Sequence, residues 1–430
     1  MGDLEKIYSV LKKSSGVYTD SRNTLQNGLF FALTGEKFNG NDFALEAINA
    51  GKAIGAVIDN PKLREKSNKF IYVKDTLKTL QNLASFHRQR LKCPVFSITG
   101  SNGKTTTKEL LKKILNTKYK TYSTIGNLNN HIGVPLTILN TPISAEFLII
   151  EMGANHLNEI KKLCEIAKPS HGFITNFGLA HLKGFGGKEG VIKGKSELYD
   201  FLDLSGGKIF VNYNNKDQIK QLGDKKYISF GKGLKANFKI EYNYENKDNL
   251  ELYFKGHKFL SSLYGDYNYP NISAALAVGY FFDVPIQKMQ SSIKSYKSMK
   301  NRSQLININD KKIILDAYNA NPTSMDCAIK NFEIRFPNDN LIIIGDMLEL
   351  GKYTKTAHQK IVDLTKTLSL KKVITVGKNF FEINKTPNHF IKFYSTDELI
   401  NYLRSKKINE KHILIKGSRS LALEKLINIL

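Results

Sequence analysis

The chain has 430 residues, 64 lysines and arginines against 39 aspartates and glutamates, and a formal net charge of +25. That length exceeds one ordinary core, so two or three domains are expected, and a hydrophobic share of 41% is enough to fill them. The basic residues are spread along the chain with no basic tail, arginine cluster or aromatic-interleaved patch, which argues for solvated lysine faces and against a nucleic-acid partner. The start, from Met1, lacks the apolar core of a signal peptide, and the most apolar run, 272–282, is too short to span a bilayer. Cys93, Cys164 and Cys327 have no metal or disulfide spacing, which fits a reducing compartment; the expectation is a cytoplasmic protein.

Residues 1–90 read as a small α/β unit, in which short strands at 29–33 and 54–58 flank a helix over 43–50. Asp20-Ser21-Arg22 falls in a turn there. From 91 to 298, apolar runs at 95–99, 147–150, 173–175 and 209–211 alternate with helical patterns, as in a mainly parallel sheet. The first run leads into Thr99-Gly100-Ser101-Asn102-Gly103-Lys104-Thr105-Thr106, followed by a helical stripe of Leu110, Leu111, Ile114 and Leu115. Strand, glycine turn and helix is the context in which backbone N–H groups and a helix dipole hold phosphate. Lys104 would reach the β/γ-phosphates and the Thr105 hydroxyl would ligate Mg²⁺, although the outer glycine of the eight-residue pattern falls on Ile98. Residues 227–263 read as antiparallel strands decorating this unit. From 299 the rhythm restarts at 312–316, 341–345, 373–377 and 413–417, so 299–430 form a second, Rossmann-like unit.

Polar residues cluster just beyond the strand ends, where open α/β sheets bind ligands, and this puts the Lys104 loop, Glu151 and His181 on one rim. Glu151 offers a hard oxygen for Mg²⁺. His181 alone reads as a surface loop histidine. Lys193 and Lys195, on a helix predicted over 190–202, read as solvated lysines unless burial favours a neutral amine. In the 126–135 segment Asn127, Asn129, Asn130 and His131 suit either a capped loop or an extended polar substrate. Asp316 is placed to accept a ribose hydroxyl, and Arg302 to meet a phosphate.

Taken in order, these pieces resemble the Mur ligases of peptidoglycan synthesis. The resemblance rests on Asp20-Ser21-Arg22, the 99–106 loop, the 126–137 segment, Glu151-Met152-Gly153-Ala154-Asn155 and Ala180-His181-Leu182-Lys183-Gly184-Phe185-Gly186. It continues through Lys195-Ser196-Glu197-Leu198, Tyr318-Asn319-Ala320-Asn321-Pro322, the 345–351 segment and Lys416-Gly417-Ser418-Arg419. It implies a three-domain α/β architecture: a UDP-substrate domain (1–90), a central ATPase domain with a P-loop-type parallel sheet (91–298), and a Rossmann-like C-terminal domain (299–430). It also implies an ATP- and Mg²⁺-dependent amide ligase joining D-alanyl-D-alanine to UDP-MurNAc-tripeptide through an acyl phosphate, as a monomer without membrane insertion.

By family pattern Gly100 to Thr106 and Lys104 hold ATP phosphates, with Asn268, Arg302 and Asp316 as further ATP contacts. Thr105 and Glu151 hold Mg²⁺, and His181 holds a second ion together with a carbamylated Lys195. Ser21 and Arg22 match the uridine-nucleotide site, and Asn127, Asn129, Asn130 and His131 face the reacting substrate. Tyr267, Leu315 and Asn41 stand where the common pattern has histidine, aspartate and histidine. The rival readings are the preceding ligase, whose Asp-Asn-Pro-Arg motif is absent, and a nucleic-acid-binding P-loop ATPase.

Overall fold

The structure, a computed structural model, describes residues 3–49, 52–244, 250–384, 386–387 and 390–430. Met1 and Ala50, which end two of the segments read above, lie outside them. Among the described residues three parallel or mainly parallel sheets follow one another along the chain. The first orders Val17–Tyr18, Gly28–Phe31, Ala53–Ile58 and Phe70–Tyr72, all parallel. Its helix Thr76–Arg88, which was not anticipated, is capped by the Asp75 carboxylate accepting from the Lys78 N–H. Leu80, Leu83, Ala84 and His87 form its buried side, which packs on Gly133–Leu139 and Glu159–Ala167 of the central unit. This helix is the seam between the first two sheets.

The central sheet has nine strands, with Val95–Thr99 flanked by Phe147–Glu151 and His171–Ile174. The expected antiparallel decoration holds for Phe238–Asn243, Leu250–Phe254 and His257–Ser261, which pair antiparallel in that order, whereas Tyr227–Gly231 runs parallel to Lys208–Asn212 and pairs in parallel with Phe238–Asn243. The short helix Lys216–Leu222 makes the connection from Lys208–Asn212 to Tyr227–Gly231 a crossover, as parallel neighbours require. The apolar run near 272–282 is the helix Tyr269–Phe281, apolar on all sides and buried against Lys104–Leu115. Among the described residues no helix is long and apolar enough to cross a membrane.

The C-terminal sheet contains the four expected strands plus two edges: Gln304–Ile308, antiparallel to Lys311–Asp316, and Phe390–Phe393 beside Lys372–Val376. Both edges are half-exposed and interleave apolar with polar residues, so they lack the continuous apolar run of the inner strands.

Candidate active site

The carboxyl ends of Val95–Thr99, Phe147–Glu151, His171–Ile174 and Lys311–Asp316 open onto one cavity of about 810 Å³. The glycine loop shapes its floor. Gly100 has φ +140°, and a Cβ there would stand 1.9 Å from Thr175 Oγ1; Gly103 has φ +82°, and a Cβ would meet Asn271 Oδ1 at 2.4 Å. Neither position admits another residue without strain. Gly103 caps the helix Lys104–Leu115 with no side-chain bond, so its first N–H groups remain available to an anion. Lys104 Nζ folds back to donate to the Gly100 carbonyl at 2.6 Å. Burial pulls the Lys104 pKa down, with Arg302 adding to that and Glu151 opposing it.

Glu151 is 2% exposed. Its Oε1 accepts from Asn129 Nδ2 at 2.8 Å, while its Oε2 accepts no hydrogen bond. Lys108 Nζ stands 3.6 Å from that oxygen, fully buried, also 3.1 Å from Glu109 and donating to the Thr124 carbonyl at 2.7 Å. Lys108 was missed in the sequence; its signal is the i+4 spacing from Lys104, which puts both on one helix side. The Thr105 hydroxyl makes no hydrogen bond among the described residues. A buried carboxylate oxygen without a donor, a free hydroxyl and a phosphate loop fit Mg²⁺. No three His, Cys, Asp or Glu side chains form a cage among the described residues, in keeping with an ion that relies on waters and substrate phosphates.

Ser101, Asn102, Gly103, Lys104, Thr105, Thr106, Asn127, Asn129, Asn130, His131, Glu151, His181, Asn268, Arg302 and Asp316 all line the cavity. In the 126–135 segment Asn130 Oδ1 accepts from the Ile132 and Gly133 N–H groups, as a capped loop requires, while Asn127, Asn129, Asn130 and His131 line the cavity. Asn268, buried, donates to the Tyr264 carbonyl, and Arg302 lies 3.7 Å from the centre of the Tyr318 ring. Asp316 is ion-paired with Lys416 and accepts from the Ser303 N–H at 3.0 Å. His181 sits at φ +54° with its Nδ1 bonded to Glu349, a residue of the 345–351 segment that had no role assigned.

Lys195 corrects the solvated reading. It is 1% exposed, on the side of Lys188–Leu204 that carries Val191, Leu198 and Leu202, while Lys193 is exposed. Lys195 has no hydrogen bond or ion pair among the described residues, is not one of the residues that line the cavity, and lies 5.4 Å from the centre of the Phe185 ring. Burial, with the charge of Lys104, pulls its pKa well below the ordinary lysine value; Glu159 and Glu197 oppose this. Ser21 and Arg22 are not brought to the cavity. Arg22 is exposed on a turn of the first sheet, paired with Asp20 at 2.9 Å.

Three family profiles match in order: "Mur ligase family, catalytic domain" at 13–88, "Mur ligase middle domain" at 98–279, and "Mur ligase, glutamate ligase domain" at 301–419. The chain belongs to the Mur ligase family. Among curated Mur ligases it is 32% identical to the UDP-N-acetylmuramoyl-tripeptide–D-alanyl-D-alanine ligase of Bacillus subtilis, over 96% of this chain and 92% of that protein. It is 31% identical to the enzyme of the same name from Escherichia coli, over 96% and 93%. Among solved Mur ligases, a MurF from Acinetobacter baumannii superposes with a TM-score of 0.85 at 27% identity, covering 99% of this chain and 97% of that one. The fold is also that of MurF from Thermotoga maritima in complex with ADP, with a TM-score of 0.84 at 24% identity and 98% and 97% coverage.

Proposed function

We infer that this Mur ligase is an ATP-dependent amide ligase that joins D-alanyl-D-alanine to UDP-MurNAc-tripeptide, a cytoplasmic step of peptidoglycan synthesis. The observation that carries the reading is one cavity uniting a phosphate loop, a buried carboxylate with an oxygen that accepts no hydrogen bond among the described residues, and C-terminal residues that close over both. The division at 1–90, 91–298 and 299–430 follows the three sheets.

A peptide carboxylate is a poor electrophile, so ATP converts it to an acyl phosphate, and the amine of D-alanyl-D-alanine displaces phosphate. Lys104 and the N–H groups of Gly100 to Thr106 hold the triphosphate and offset its charge as the carboxylate approaches. Asn268, Arg302 and Asp316 hold the rest of the nucleotide. Thr105 and Glu151 would hold one Mg²⁺, and His181 with a carbamylated Lys195 would hold a second. Mg²⁺ bound there supplies charge neutralisation between two anionic reactants. Support for the carbamate comes from the burial of Lys195, which favours the neutral amine that adds CO₂ and turns a cation into an oxygen ligand. Asn127, Asn129, Asn130 and His131 orient the peptide end. Ser21 and Arg22 take the uridine end; their distance from the cavity suits a substrate whose nucleotide and reacting carboxylate are far apart.

The test is phosphate release from ATP with UDP-MurNAc-tripeptide, with and without D-alanyl-D-alanine, together with the product mass. The expected result is release requiring both substrates and a pentapeptide product. Activity only with UDP-MurNAc-dipeptide and a free diamino acid would move the protein one step back.

A further inference from the structure

The segment 346–353 of the C-terminal domain grips the loop that carries His181, which is also held at the Leu179 N–H by Thr323 Oγ1. The Glu349 carboxylate accepts the Nδ1 hydrogen of His181, and the Glu349 carbonyl accepts the Lys183 N–H at 3.1 Å. Gly351 lies against Lys183, and the Tyr353 hydroxyl donates to the Gly186 carbonyl at 3.4 Å. Glu349 itself is held at φ +62°, a conformation that costs a non-glycine residue about 1 kcal/mol or more.

The segment is braced from behind. The Asp346 carboxylate accepts the N–H groups of Asn379 at 2.8 Å and Phe380 at 3.0 Å. His358, fully buried, donates from Nδ1 to the Thr354 carbonyl and accepts the Met347 N–H at Nε2, and Ser418 Oγ accepts the Leu348 N–H. An exposed ion pair between two mobile side chains would not be built on a braced, strained backbone.

The consequence falls on the tautomer of His181. In the neutral ring, with the Nδ1 hydrogen committed to a carboxylate, Nε2 carries the lone pair, and Nε2 has no hydrogen bond among the described residues. We propose that Glu349 is a positioning residue for His181: it makes Nε2 the nitrogen offered to the cavity, and it does so only when the C-terminal domain is seated on the central sheet. This rests on the reading of His181 as a ligand in the ligase reaction. It gives domain closure a chemical consequence, because the histidine becomes a competent donor only in the closed arrangement.

The test uses the full chain labelled with ¹⁵N-histidine, the His181 signal being identified by its loss in His181→Gln. Wild type should show the Nδ1–H tautomer. Glu349→Ala should move His181 towards Nε2–H and lower kcat about 10- to 100-fold with the KM for ATP little changed. Glu349→Gln, whose amide oxygen can still accept, should keep the tautomer and most of the rate. A wild-type Nε2–H tautomer, or a Glu349→Ala enzyme with wild-type kcat, would overturn the proposal. An inactive wild type would overturn the ligase reading instead, and the tautomer would still decide the role of Glu349.

Discussion

Lys195 shows how a single side chain can be set against the stability of its own fold. Its side chain is 1% exposed, with the amine 5.4 Å from the centre of the Phe185 ring and no hydrogen bond or ion pair among the described residues, so folding desolvates the amine without giving it an acceptor. Lys195→Met keeps the length and removes that group. The variant should be more stable by about 1–3 kcal/mol in urea denaturation. If Lys195 carries the proposed carbamate, the ligation rate of this variant should fall at least about 100-fold. A destabilised variant would show that the amine has a structural partner. Lys108, four residues on from Lys104, is the opposite case: equally buried, but beside Glu109 and Glu151.

At the scale of an element, His171 opens the strand His171–Ile174 within a cluster of Phe96, Phe281 and Phe282, beside Lys208 on the neighbouring strand. Burial, with Lys208 adding, pushes its pKa down from 6.5 to about 4. The folded protein therefore resists protonation more than the unfolded chain. The stability tied to neutral His171 is complete above pH 6.5 and is lost as pH falls towards 4, by up to about 3 kcal/mol. Urea midpoints at pH 7 and pH 4.5 should converge in a His171→Gln variant relative to wild type, after subtraction of the shared carboxylate effect. An unchanged pH slope would show that His171 titrates normally. The strand's far end bears on the site through Thr175 and Asn176, whose oxygens bond the glycine loop.

At the scale of the molecule, the first sheet is held to the central unit by a few polar clamps around an apolar seam. Asn140 grips the edge strand from both sides, its Oδ1 accepting the Val17 N–H at 2.8 Å and its Nδ2 donating to the Val17 carbonyl at 2.9 Å. His87 bridges the Tyr8 hydroxyl and the Thr141 carbonyl nearby. Asn140→Ala should cost about 2 kcal/mol, two bonds of about 1 kcal/mol each, and should speed limited proteolysis between 89 and 94. Unchanged cleavage and stability would assign the seam to apolar packing alone. On the opposite side Asn102 meets Asn321 at 2.7 Å, and Leu179 donates to Thr323 at 2.9 Å, so the C-terminal sheet closes the cavity directly over the phosphate loop.

The inner strands, the phosphate loop and its helix were legible in the sequence because each is written locally. Short apolar runs bounded by turn residues suit buried strands, and Gly100 and Gly103 occupy backbone conformations that other residues avoid. The edge strands Gln304–Ile308 and Phe390–Phe393 and the parallel run of Tyr227–Gly231 were not legible, since pairing direction depends on the partner rather than on the segment. The convergence of the Lys104 loop, Glu151 and His181 on one cavity could be anticipated from strand ends alone, whereas Asp316 reaches it from a separate sheet. What the tertiary structure alone decided is the state of the titratable groups. Burial of Lys195, pairing of Lys108 with Glu151 and the hold of Glu349 on His181 each depend on neighbours at least one helix or one domain away. No window of sequence contains those neighbours, and desolvation and charge act through space rather than along the chain.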